Sequence, residues 1–523
     1  MTLAKPVKYA TICATVALFA LIFGLFLFPI VLKSQLKKEK QLSKKTEIRE
    51  MWEALPFALT FKICLFNYTN VDEIMKGAVP IVKEIGPYYF EEWKEKVLVG
   101  ESEENDTISF RRNETFYFIQ ELSGPGLTGE EIITMPNIFL MNCLNNYTIL
   151  TLMNMVGKAV NGIFDNPTDV FMRVKALDIM FRGVMINCNR SELAPKAACT
   201  AIKKEKIAGL VHEPNNQMRF SLFGYRNATP DSLVVTVKRG IQNVSEVGKV
   251  ISVDGFPTQK IWRDHCNDFN GTDSTIFPPF LTEEDRLQSY YTELCRYVNV
   301  AWFTKKSSYR GIKTNHYVVN IGNLAKDPDL QCYCDTPDTC PPKGLMDLKK
   351  CMGGPIYTSL PHFLDCEPEF QKNVKGLTPD VDLHGMYIDF EPISGTPMNG
   401  SLRLQFSMQL LRTDKVAICK ELPNSIVPLF WVDESVALNK TYVNMMKYQL
   451  FIPKMVVNTL SWIMVILGTL GAIFGALYHN RGWLDLFGLL YSYNRQTPPA
   501  NSYLYSILIH TSKVSRDQHI FLQ

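Results

Sequence analysis

The sequence predicts an α+β domain, mostly antiparallel sheet with one helical insertion, held near both chain ends by transmembrane helices. Three observations carry that prediction. Two uncharged apolar runs, each 24 residues long, lie close to the ends of the chain. Between them, short runs rich in Val, Ile, Tyr and Phe alternate with Gly, Pro, Asn and Asp, which is the pattern of strands and turns. One stretch, from Asn146 to about Val184, changes to helical spacing.

The first eight residues form a short polar tail, and the apolar run Tyr9–Leu32 follows between Lys8 and Lys33. About 20 helical residues cross the hydrocarbon core of a bilayer, so this run is long enough to span. It exceeds the usual apolar core of a signal peptide and runs into Pro29 and Lys33 without a small-residue cleavage site, which argues for an uncleaved anchor. The second run, Met455–Tyr478, carries Gly468, Gly471 and Gly475 three and four apart. That spacing suits close helix–helix contact, although glycine is also simply frequent in membrane helices. Residues 479–523 form a second tail with no recognisable signalling motif.

Two spans place both tails on one side and residues 33–454 on the other. The segment after the first span is basic (Lys33, Lys37, Lys38, Lys40, Lys44, Lys45, Arg49), which would favour the cytosol for the middle region. That rule weakens for long translocated segments. Ten Asn-x-Ser/Thr sequons point the other way: Asn67, Asn105, Asn113, Asn146, Asn189, Asn227, Asn243, Asn270, Asn399 and Asn439. Every cysteine except Cys13 also lies between the spans, as expected of an oxidising compartment. The middle region is therefore read as a glycosylated ectodomain, with both tails cytosolic.

Within it, strands are expected at Val97–Val99, Thr107–Phe110, Thr115–Phe118, Leu233–Val237, Val250–Val253, Tyr317–Ile321, Met386–Phe390 and Leu402–Leu410. In the helical stretch, Ile149, Leu152, Met153, Val156, Val160 and Ile163 form one run; Val170, Val174, Leu177 and Phe181 form a second. Asn166-Pro167-Thr168-Asp169 separates them. Six cysteines gather at Cys266, Cys295, Cys332, Cys334, Cys340 and Cys351. Their spacing is not that of a regular zinc ribbon, and their pairing does not follow from spacing, since six cysteines allow 15 connectivities.

Composition excludes several classes. A net charge of +3 with 20% charged residues gives no basic excess for nucleic acid. No GxSxG elbow, HExxH helix or P-loop organises a nucleophile, metal or phosphate, and no cofactor is expected. Asp389 and Glu391, two apart on a strand, would share a face and keep a carboxylate dyad open. Asn458, Thr459, Ser461 and Thr469 in the second span keep open a two-span channel subunit.

Several motifs narrow the choice. Trp262-Arg263-Asp264-His265-Cys266, Asn270-Gly271-Thr272-Asp273 and Phe277-Pro278-Pro279-Phe280 resemble the class B scavenger receptor family, that of fatty-acid translocase and its relatives. So do Gly86-Pro87-Tyr88, Ser359-Leu360-Pro361-His362-Phe363, Tyr387-Ile388-Asp389 with Glu391-Pro392, and Val427-Pro428 with Trp431. Within that family the chain is most similar to the insect sensory neuron membrane branch, type 1. That likeness rests on Cys332-Tyr333-Cys334, Asp338 to Gly344, Cys351 with Gly353-Gly354-Pro355, Leu438 to Tyr442, and Cys188 with Cys199.

The resemblance implies an irregular antiparallel β-barrel with a helical apical bundle and an internal hydrophobic tunnel. It implies disulfides Cys266–Cys332, Cys295–Cys351 and Cys334–Cys340, with Cys188–Cys199 as a fourth. Cys64, Cys143, Cys366 and Cys419 stay unassigned. It also implies capture of hydrophobic fatty-acid-derived ligands, among them pheromones, for an odorant receptor complex in the same membrane, with odorant-binding proteins as further partners. General lipid or lipoprotein uptake in support cells is the rival task. Lys158, near the position of a ligand-associated lysine in relatives, is the candidate polar contact. Met153, Met155, Phe164, Phe171 and Met172 are candidates for an apolar mouth, although at helical spacing the same residues serve as ordinary packing.

Overall fold

Long strands that alternate inward and outward side chains join into one 12-stranded antiparallel sheet. The computed structural model describes residues 5–141, 153–204, 207–299, 302–414 and 416–479. The chain divides into two units, Met1–Leu32 with Tyr448–Gln523, and Lys33–Lys447.

In the larger unit the sheet runs in the order Val250–Val253, Val235–Lys238, Thr107–Phe118, Val82–Ser102, Leu59–Tyr68, Ser425–Ala437, Thr396–Leu410, Met386–Glu391, Ile312–Val319, Trp302–Tyr309. Ile356–Ser359 branches off, pairing with Thr396–Leu410 and with Met346–Asp347. Among the described residues no ladder joins the two end strands, so the sheet is an open path in its hydrogen bonding. Register shifts at Ile63/Leu65, Leu98/Gly100 and Phe406/Ser407 mark β-bulges, which bend long strands and raise their twist.

The expected strands are present, several of them longer, with Val250–Val253 at its expected bounds and Leu233–Val237 seen as the shorter Val235–Lys238. Thr107–Phe110 and Thr115–Phe118 are the two ends of one strand, Thr107–Phe118, and Val97–Val99 lies within the 21-residue strand Val82–Ser102. The helical stretch needs a correction. Met153–Ile163 is an α-helix, and Asn146 and Cys143 lie outside the described residues. Phe171–Lys175, however, is a strand, paired antiparallel with Ile132–Pro136. Its Phe171 and Val174 are buried and its Arg173 and Lys175 exposed, and the edge of Ile132–Pro136 supplies the hydrogen-bond partners that decide against helix. Asp178–Arg182 forms one π-helical turn, and the next α-helix is Leu193–Lys204, which packs beside Met153–Ile163.

Four disulfides are formed: Cys188–Cys199, Cys266–Cys332, Cys295–Cys351 and Cys334–Cys340. Cys64, Cys366 and Cys419 are buried thiols. Burial pushes the Cys366 and Cys419 thiols up to about 12, which suits inert packing groups. Among the sequons, Asn105, Asn189, Asn243 and Asn439 are exposed, whereas Asn67, Asn113, Asn227, Asn270 and Asn399 are half-buried.

The smaller unit holds two helices long and apolar enough to cross a membrane. They pack on each other through small residues. A Cβ at Gly468 would lie 2.7 Å from the Cys13 carbonyl oxygen, and one at Gly475 would lie 2.9 Å from the Ala10 Cβ. The three glycines therefore make close contact, as their spacing allows. Ser461 is buried where Gly24 approaches, and the Thr469 hydroxyl donates to the Val465 carbonyl of its own helix.

Candidate functional site

The central strands of the larger unit present every second residue to one cavity. Phe61 comes from Leu59–Tyr68, Lys94 from Val82–Ser102, and Arg112 and Glu114 from Thr107–Phe118. Leu402, Leu404 and Phe406 follow on Thr396–Leu410, and Phe430, Val432 and Glu434 on Ser425–Ala437. The spacing of two along each strand puts these side chains on the same face. Cross-strand neighbours in the ladders are Phe61 with Glu434, Leu404 with Val432, Phe406 with Phe430, and Lys94 with Glu114.

The far wall comes from Phe220 to Arg226, Tyr291 to Leu294, and Met352 to Ile356. Cys295 and Cys351 continue two of these segments, so their disulfide ties Leu294 to Met352 across the cavity wall. Phe61, Phe116, Phe181 and Phe223 form an aromatic cluster at one side, with ring centroids 5.1 Å apart for Phe61 and Phe116 and 5.2 Å for Phe61 and Phe223. The cavity has a volume of about 170 Å³ and an open mouth. Its walls are mostly apolar with a few convergent polar groups, the character of a site for an apolar ligand.

One wall is charged. Lys94 Nζ lies 2.8 Å from Glu434, 3.3 Å from Glu92 and 3.8 Å from Glu114. Arg112 lies 2.6 Å from Glu293 and 3.7 Å from Asp231. Arg226 lies 3.4 Å from Glu114 and 3.3 Å from Glu293, with its guanidinium over the rings of Phe116 and Phe223. Burial alone would raise the Glu293 carboxyl, but Arg112 and Arg226 hold it down at about 2. Glu92 behaves in the opposite way. It is fully buried, neither oxygen has a hydrogen-bond partner, and burial with the nearby Glu434 pushes its carboxyl well above the usual range. Apart from Glu92, the carboxylates Glu434, Glu114, Glu293 and Asp231 face Lys94, Arg112 and Arg226 and compensate them.

The residues singled out from the sequence lie elsewhere. Lys158 is exposed on Met153–Ile163, beside a polar cleft with Asn161, Asp165, Arg190 and Glu192. Met153 and Met155 occupy the first turn of that helix. Phe164 packs on Phe139 at 5.9 Å, Phe171 is buried against Tyr68 at 5.2 Å, and Met172 is half-buried on its strand. Lys158, Phe164, Phe171 and Met172 are not among the described residues that line the large cavity. The charged wall was missed because Arg111-Arg112-Asn113-Glu114 reads as a polar turn. The signal that could have found it is period-two spacing through the charges: Phe110, Arg112, Glu114, Phe116.

The enzyme-like groupings are taken up structurally. Asp389 accepts from His316 Nδ1 at 2.8 Å, while Glu391 accepts the backbone N–H groups of Ile393 and Ser394. The two carboxylates thus have separate partners. His362 lies 2.6 Å from Glu84 and stacks on His384 at 4.3 Å. His265 sits beside Cys266 and Cys332, whose sulfurs are tied in a disulfide and offer no thiolate to a metal.

Comparison with known proteins adds the lineage. The CD36 family profile matches residues 11–479. Sensory neuron membrane protein 1 of Manduca sexta is 62% identical over 481 residues, covering 92% of each chain. The proteins of the same name from Plutella xylostella and Bombyx mori are 61% and 60% identical, again over 92% of each chain.

Proposed function

Because this chain belongs to the CD36 family, a family of membrane receptors of the scavenger type, we propose that it captures hydrophobic fatty-acid-derived ligands, pheromones among them, and passes them to an odorant receptor complex. The observation that carries this reading is the mostly apolar cavity within a domain bounded in sequence by two membrane-spanning helices. A long apolar ligand gains about 0.8 kcal/mol for each methylene buried, so such a cavity competes with the odorant-binding proteins and bilayer that also hold it. The ectodomain lies outside the cell, both tails are cytosolic, and the membrane is that of sensory cilia. The names of the relatives, sensory neuron membrane protein 1, support that placement.

Lys158 serves first capture rather than cavity binding, since it is exposed at a polar cleft. Lys158→Ala then slows loading and leaves equilibrium affinity unchanged. An unaltered loading rate with normal surface expression removes that role.

The test is sensitisation. Cells carrying an odorant receptor complex respond to lower ligand concentrations when the full-length protein is present. An ectodomain released from both spans still binds ligand but fails to sensitise; full sensitisation by the released domain refutes delivery through the membrane anchor. The family itself favours a second reading, lipid or lipoprotein uptake in support cells, and localisation to support cells with absence from sensory neurons would select it. No turnover of lipid esters is expected.

A further inference from the structure

The cavity wall divides its polar groups into two kinds. The charged groups are committed to one another. Lys94 touches Glu434 and Glu114, Arg112 touches Glu293 and Asp231, and Arg226 touches Glu114 and Glu293. No cation of the three is left without a carboxylate. The neutral groups are free. The half-buried Tyr291 and Ser274 and the exposed Tyr225 line the cavity, and none of their hydroxyls has a hydrogen-bond partner among the described residues.

That division decides which ligand head the wall can accept. An ionised carboxylate must leave water and then finds every cation already paired. Arg112 Nε and Arg226 Nε lack a partner among the described residues, yet a carboxylate seated there adds a fifth negative charge to a wall where Glu114, Glu293, Glu434 and Asp231 already outnumber the three cations. A neutral oxygen needs a single hydrogen bond, and a free hydroxyl supplies it without breaking anything. Paired charge of this kind repels one ligand class while the hydroxyls attract another, which is how sites discriminate between close relatives.

We propose that the cavity selects long-chain ligands with an uncharged oxygen head (ester, aldehyde or alcohol) against the corresponding free acid. The selection rests on the reading of this cavity as the ligand site.

The experiment uses full-length protein in lipid nanodiscs, with empty nanodiscs as the blank for partitioning. A fluorescent long-chain ester is displaced by hexadecanol, hexadecyl acetate or hexadecanoic acid at neutral pH. The alcohol and the acetate are expected to displace it at concentrations about tenfold or more below those of the acid. Tyr291→Phe weakens the two neutral ligands by about three- to tenfold and leaves the acid unchanged, as loss of one hydrogen bond predicts. Glu434→Gln frees Lys94 from its 2.8 Å partner and strengthens acid binding, narrowing the preference. Should that variant fail to fold, the wild-type ranking and Tyr291→Phe still decide the matter.

Acid binding as tight as that of the neutral ligands overturns the selectivity, as does an unchanged ranking in folded Glu434→Gln. Leu404→Trp, which fills the cavity, separates the two levels of the argument. If it leaves displacement by every ligand unchanged, the ligand is not in this cavity and the underlying reading fails. If it abolishes binding while wild type does not discriminate, only the selectivity fails.

Discussion

Arg226 joins Glu114 to Glu293 and covers two phenylalanine rings, so its removal leaves Glu114 with Lys94 alone, at 3.8 Å, and Glu293 with Arg112 alone. Deleting one partner of a buried ion network commonly costs about 3–5 kcal/mol, and partial exposure of this arginine favours the lower end. Arg226→Met is expected to lower the thermal midpoint of the full-length protein. Arg226→Lys, which keeps the charge but loses the two-sided fork, recovers only part of the loss.

Acid should act in two steps. Burial and the neighbouring His362, opposed by Glu84, push the His384 imidazole down to about 4. The unfolded chain, with an ordinary value of about 6.5, therefore takes the proton first. Stability falls as pH drops from that range through about 4. Glu293, held at about 2, contributes stability that is full above the ordinary carboxylate range and is lost as pH falls through it toward 2. Thermal midpoints measured from neutral pH downward should fall in both windows. His384→Gln should remove the upper one, and persistence of that window in the variant would assign it elsewhere.

At the scale of elements, the disulfide Cys295–Cys351 closes the wall that carries Glu293, Leu294 and Met352. Replacing both cysteines by serine is expected to cost about 2–5 kcal/mol and to loosen ligand binding by a larger factor than loss of Cys334–Cys340, which spans only 6 residues. Equal binding loss from the two would deny the first bridge any special part in the cavity. In the spans, Gly475→Leu places a side chain where a Cβ would already meet Ala10 at 2.9 Å. It should shorten the half-life of the detergent-extracted protein, whereas Gly100→Ala, with nothing within 4 Å of the added Cβ, should not.

At the scale of the molecule, the described residues lining the cavity all belong to Lys33–Lys447, while both membrane-spanning helices continue in sequence from the ends of that unit. On the proposed function, binding and delivery are therefore separable. A chain that keeps only the first span should bind ligand within about twofold of the full-length affinity. Its sensitisation of a receptor cell should fall below that of the doubly tethered form. Matched sensitisation would show that one anchor suffices.

The sequence by itself determined the two spans, since hydropathy over more than 20 residues is a local property. It also determined the cysteine cluster, the family and the antiparallel β character, through motifs and alternation that need no partner to be read. Tertiary structure decided the rest. Phe171–Lys175 became a strand because Ile132–Pro136 offered an edge to pair with. Arg112 and Glu114 remained in mid-strand because Glu293, Arg226 and Lys94, distant in sequence, neutralise them where they are buried. Charge inside a strand looks like a turn until its counter-charges are known. The cavity wall is built from such long-range pairs, so the fold alone brings it together.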